Sequence, residues 1–139
     1  RYTVPDEIRN AIQSVFACGF CDDAGTEAMI GEEYKRSGYL LDTHTAVAYR
    51  VAEQFRRADG SGTPMIVAST ASPFKFCASV LDALGCREHR NGTAIIGQLA
   101  EASGRPAPAP LAGLAGKQVR FGEVVDKGAM RAVVTEFLQ

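Results

Sequence analysis

Met65-Ile66-Val67-Ala68-Ser69-Thr70-Ala71-Ser72-Pro73 is the stretch on which the fold turns. Its first four residues form a continuous apolar run, preceded by the turn cluster Asp59-Gly60-Ser61-Gly62-Thr63-Pro64 and stopped by hydroxyl residues and a proline. A short apolar run between turn signals suits a strand buried on both faces of a parallel sheet. Ser69, Thr70 and Ser72 then place three hydroxyls at the carboxyl end of that strand, where ligands collect in open α/β sheets beside the orphan N–H groups of the next helix. The competing use of such a cluster is to cap backbone donors.

Helical patterns surround this run. Pro5, Asp6 and Glu7 open a first amphipathic helix whose Ile8, Ile12, Val15 and Phe16 recur at helical spacing up to Gly19. A second helix begins at Asp22 or Asp23 and finishes with Lys35 and Arg36 before Gly38. Tyr39-Leu40-Leu41 reads as a short extended piece, and Asp42-Thr43-His44-Thr45 supplies caps for a third helix carrying Val47, Val51 and Phe55. Beyond the hydroxyl cluster a helix runs through Phe76, Val80 and Leu84 to Gly85. Another is expected over 91–102, a Pro/Ala linker over 105–110, a weaker strand over 119–125 and a terminal helix over 129–138. The order of helix, strand and helix predicts an α/β class with few strands and flanking helices.

The chain has 139 residues, 46% hydrophobic and 22% charged, which suits one globular domain and excludes disorder, collagen and coiled coil. Fifteen Lys and Arg stand against sixteen Asp and Glu, a net charge of −1 with both signs interspersed. No basic field exists for nucleic acid or an anionic membrane. No apolar run reaches the roughly 18 residues of a membrane span, and the N-terminus lacks an apolar signal core. A cytoplasmic protein is expected. The chain opens at Arg1 without an initiator Met and enters a helix at once, as a piece of something longer would.

Cys18 and Cys21 form a C-x-x-C, and Cys86 and His89 repeat the spacing. Four soft ligands in two pairs describe a metal-binding module, but the pairs lie far apart and the second lacks a turn glycine. A thioredoxin-like role needs C-x-x-C to follow a strand and open a helix, whereas here it closes a helical stretch. The remaining reading is four reduced thiols acting as small apolar residues. His44 and His89 lack the partners of a catalytic triad. Lys75, between Phe74 and Phe76, is either a desolvated amine or a lysine reaching solvent.

Gly38-Tyr39-Leu40-Leu41-Asp42-Thr43-His44-Thr45-Ala46-Val47-Ala48-Tyr49 and Ala68-Ser69-Thr70-Ala71-Ser72-Pro73-Phe74-Lys75-Phe76 together resemble the C-terminal third of threonine synthase. The block order matches as well, down to a Pro-bearing tail with Val124-Val125-Asp126-Lys127 before the last helix, and the pattern spans nearly all of the chain. Thr43 departs from it, since the family more often has Pro before the His, and the turn is left less rigid. Cys18 and Cys21 fall where the family varies, which weakens the metal reading.

The resemblance implies a pyridoxal-phosphate enzyme of the tryptophan-synthase-β fold type, fold type II, with residues 1–139 a C-terminal fragment of its catalytic domain. It further implies conversion of O-phosphohomoserine and water to L-threonine and phosphate, with the cofactor as electron sink. Thr70 matches the hydroxyl that meets the pyridine nitrogen. Ser69, Ala71, His44 and Thr45 match the cofactor side. The Schiff-base lysine, the glycine-rich phosphate loop and most substrate ligands are implied for a missing N-terminal portion, and Lys75 is not given the Schiff-base role. The fragment alone is then expected to be inactive and prone to self-association, with no metal ligands. Against this stand a non-catalytic threonine-synthase-like protein and the Cys/His module.

Overall fold

A computed structural model of the chain describes residues 2–139. The helix signals at Asp22 and Gly38 are both used. Asp22 Oδ1 accepts from the Gly25 N–H at 2.8 Å at the start of α2 (Asp23–Ser37), Lys35 and Arg36 lie in its last turn, and Gly38 ends it at φ +73°, where a side chain would be strained. Leu40 and Leu41 then turn into the interior, and Asp42 starts α3 (Thr43–Asp59). A 3-10 turn, Pro73–Lys75, leads into α4 (Cys77–Ala83), and α5 spans Ala94–Ser103.

These helices build the core. α2 packs on α3 and α4, and α4 packs on α5. Ile30, Ala46, Val80, Leu81 and Leu99 are completely buried at the centre, with Met29, Phe74 and Cys77 beside them. Each fully buried Ile, Val or Leu side chain among them contributes roughly 1.5–3 kcal/mol. Gly31 is there because α2 runs close to the end of α4, where a Cβ would stand 2.7 Å from the Ala83 carbonyl oxygen. The Tyr34 hydroxyl donates to the Ser103 carbonyl at 2.6 Å, and Arg105 Nη2 donates to the Gly38 carbonyl at 2.5 Å. The ends of α2 and α5 are thereby tied together.

The remaining helices are peripheral. α1 (Asp6–Gln13) stops at Ser14, short of the expected Gly19, and buries no residue. α6 (Ala109–Ala112) begins after Pro108, inside the expected linker, and α7 (Met130–Phe137) again buries nothing.

The α/β class with a fold-type-II sheet is overturned: among the described residues the secondary structure is entirely helical. Residues 65–68 form no ladder, and Ile66 is 99% exposed while Met65 is also open to solvent. Apolar content favours burial, but a buried strand also needs neighbouring strands to satisfy its N–H and C=O groups. No described segment provides one. Residues 119–125 likewise form no strand, with Val119, Phe121 and Val124 exposed, and Tyr39-Leu40-Leu41 is a helix–helix connection whose Leu40 and Leu41 plug the core while Tyr39 stays exposed.

Candidate functional site

Two segments far apart in sequence meet at the start of α3. Asp42 is buried at this N-terminus, and its Oδ1 accepts from the N–H groups of His44 at 2.9 Å and Thr45 at 3.1 Å. Its Oδ2 accepts from the Thr45 hydroxyl. The same Thr45 Oγ1 lies 3.2 Å from Ser69 Oγ. One residue earlier, the largely exposed His44 ring packs on Phe76, with centroids 4.8 Å apart and planes tilted by 51°. Ser72 caps the 3-10 turn through Phe74 N–H to Oγ at 3.3 Å, which fixes the direction in which the 69–76 segment enters α4.

Of the residues singled out in sequence, Ser69 and His44 therefore sit on the seam between the two segments. Ala71 is half-buried beside them. Thr70 is exposed, and its hydroxyl has no protein hydrogen-bond partner among the described residues. Lys75 points to solvent. Cys77 is buried and donates to the Phe74 carbonyl at 3.1 Å; burial pushes its thiol up, so it is a packing residue and not a nucleophile.

A cleft of about 490 Å³ opens beside His44, walled by Cys21, Asp23, Thr26, Glu27, Thr43 and Phe76. A smaller one of about 190 Å³ lies between Glu33, Tyr49, Val67, Thr45 and Ser69. Burial acts to raise the Glu33 carboxyl, but hydrogen bonds from Ser37 Oγ at 2.6 Å and from Arg36 Nε at 2.9 Å outweigh it and hold the group below its ordinary value. Arg36 also donates to the Tyr49 hydroxyl at 3.2 Å. One wall of the smaller cleft is thus fixed and charged.

Asp42 and Phe76, which join the segments together with Thr45, carry more of this geometry than their sequence pattern assigns to them. The D-x-x-T spacing at a helix start was the available signal, since an Asp N-cap reaches the hydroxyl three residues on. The cysteine pairs are used separately. Cys21 Sγ contacts the Thr26 hydroxyl at 3.7 Å, and His89 Nε2 pairs with Asp82 at 3.3 Å. Among the described residues no group of three or more His, Cys, Asp or Glu is placed to hold a metal, and no helix is long and apolar enough to cross a membrane.

A helical domain with a hydroxyl-bearing seam is a class shared by many proteins; comparison with known families narrows it. The family described as "Threonine synthase, C-terminal" matches residues 45–134, from the Thr45 end of the seam through the hydroxyl segment and into α7. The chain belongs to that family, as a threonine synthase C-terminal portion. It is 39% identical over 75 residues to "Threonine synthase" of Methylobacillus glycogenes, which covers 54% of this chain and 15% of that protein. To "Threonine synthase" of Corynebacterium glutamicum it is 40% identical over 70 residues, 50% of this chain and 14% of that protein. To "Threonine synthase-like 1" of Mus musculus it is 38% identical over 77 residues, 55% of this chain and 10% of that protein. The chain matches only about a sixth or less of these relatives' lengths.

Proposed function

We propose that this chain is the cofactor-side portion of a pyridoxal-phosphate-dependent threonine synthase, one that converts O-phosphohomoserine and water to L-threonine and phosphate in the cytoplasm. The observation that carries the reading is the seam itself: the two segments whose residues resemble the family are brought into contact through Thr45 with Ser69 and His44 with Phe76. The donor chemistry fits the cofactor's ring. Thr70 presents a free hydroxyl to solvent, able to donate to a pyridine nitrogen, and unlike a carboxylate it does not hold that nitrogen protonated by charge.

The cofactor, when bound, supplies the electron sink for loss of phosphate and addition of water. Thr70 would hold the ring through a hydrogen bond to its nitrogen. Ser69 and Ala71 shape the surface on either side of that contact, and His44, held against Phe76, borders the open cleft where substrate atoms have room. Lys75, five residues past Thr70 and facing solvent, is not the lysine that holds the cofactor. That lysine and the phosphate-binding loop are assigned to the portion of the parent enzyme that its relatives' lengths imply. The isolated chain is accordingly inactive, and the apolar faces of α1 and α7 favour its self-association.

The test is phosphate release from O-phosphohomoserine by the parent enzyme and its variants. Thr70→Val should weaken cofactor binding or turnover by about 1–3 kcal/mol, the size of one buried hydrogen bond, while Thr70→Ser retains most of both. Unchanged spectra and kinetics in Thr70→Val would remove the assignment. A second reading, a threonine-synthase-like protein with a changed use, is favoured by the likeness to "Threonine synthase-like 1". A parent protein that binds the cofactor and releases no phosphate would establish it.

A further inference from the structure

We propose that Asp42, acting through Thr45, fixes the direction of the Ser69 hydroxyl, so that Ser69 meets a ligand only as a hydrogen-bond acceptor. The inference rests on the reading of this seam as the cofactor side, and it follows from counting protons. Asp42 is a carboxylate and accepts only. Its Oδ1 takes the His44 and Thr45 N–H groups, and Oδ2 takes the Thr45 hydroxyl. Asp42 is 1% exposed, so Oδ2 is shielded from solvent and Thr45 is its one side-chain donor among the described residues.

Thr45 has a single hydroxyl proton, and Asp42 holds it. At the 3.2 Å contact with Ser69, Thr45 is therefore left with lone pairs alone, and the proton in that contact comes from Ser69. The reverse arrangement would strip a buried carboxylate oxygen of its donor, which is costly away from water. Ser69 itself is exposed on its other side. What it turns outward is a pair of lone pairs.

The consequence is a chemical filter one residue from Thr70. A group that settles on Ser69 must bring its own N–H or O–H: a hydroxyl, an amine or an ammonium. A fully ionised phosphate brings none, nor does an unprotonated ring nitrogen, so those are left to Thr70, whose hydroxyl has no such commitment. Adjacent serine and threonine residues thus differ in hydrogen-bonding sense, Ser69 accepting only and Thr70 free to donate, and Asp42 and Thr45 are the positioning residues that separate them.

Neutron diffraction from deuterated crystals of the 139-residue chain reads this directly. The expected result is deuterium on Ser69 Oγ aimed at Thr45, with the Thr45 deuterium on Asp42. A Thr45 deuterium aimed at Ser69 overturns the proposal. In solution, 15N relaxation should show residues 68–71 ordered in the wild type and in Thr45→Ser, and falling below an order parameter of about 0.6 in Thr45→Val, with α2 and α4 unchanged. If Thr45→Val does not fold, the exposed Ser69→Ala should release the same residues, and their unchanged order in that variant overturns the proposal. Titration of the parent enzyme with pyridoxal phosphate separates this claim from the one it rests on. A Thr70→Val parent that binds the cofactor as tightly as the wild type would sink the cofactor reading, while the deuterium positions decide the sense of Ser69 independently.

Discussion

α2 and α1 are both helices with apolar residues at helical spacing, yet one is the centre of the molecule and the other contributes nothing to its interior. α2 buries Met29 and Ile30 against α3 and α4, whereas in α1 Ile8 and Ile12 remain about half exposed and Phe16, just beyond its end, is 68% exposed. α7 repeats the α1 case, with Phe137 72% exposed. Periodicity accounts for the helix in each. Burial is decided by whether another element supplies a matching face, and among the described residues α2 to α5 supply one to each other, with Leu111 of α6 half-buried at their edge.

The sharpest way to test that division is truncation on both sides of it. Leu99→Ala, at a site with no solvent exposure, should cost roughly 2–5 kcal/mol in urea unfolding. Ile12→Ala in α1 should cost no more than about 0.5 kcal/mol. Equal losses would mean that α1 is packed in solution and that the division is wrong. A smaller effect distinguishes two glycines. Gly31→Ala forces a Cβ to 2.7 Å from the Ala83 oxygen and should destabilise by about 1–3 kcal/mol. Gly97→Ala, in α5 with open space around it, should stabilise by about 0.5–1 kcal/mol. Thermal melts of the two variants should move in opposite directions.

The smallest effect concerns pH. Glu33 has its folded value held below its unfolded one, so its contribution is fully present above the ordinary carboxylate range and is lost as pH falls through the folded value. Between about pH 6 and pH 3 the wild type should lose melting temperature more steeply than Glu33→Gln. Parallel curves would show that Arg36 and Ser37 leave the core's response to acid unchanged.

Much of the helical order was legible because caps are local. Asp22, Gly38 and Asp42 bound helices where the sequence places them, since a cap needs only its own neighbours. The 65–68 run failed for the opposite reason: four apolar residues state a preference for burial but not what will cover them, and Ile66 finds no cover in this chain. The site shows the same split. His44, Ser69 and Thr70 stand out by type and block, but the bond between Thr45 and Ser69 joins residues 24 apart and depends on how α3 is set against the hydroxyl segment. No local pattern announces that.

The tie between α2 and α5 bears on the order in which the molecule assembles. α2 and α3 are joined by a five-residue connection, 38–42, and so form a sequence-local hairpin, which closes at little entropic expense. The Tyr34–Ser103 and Gly38–Arg105 bonds close loops of 69 and 67 residues, the kind of long-range contact that slows folding. The α2–α3 hairpin should therefore nucleate early, with the α5 bonds forming after the rate-limiting barrier. Tyr34→Phe would then speed unfolding and leave the refolding rate nearly untouched, making this hydroxyl a determinant of how long the folded chain lasts and not of how quickly it forms.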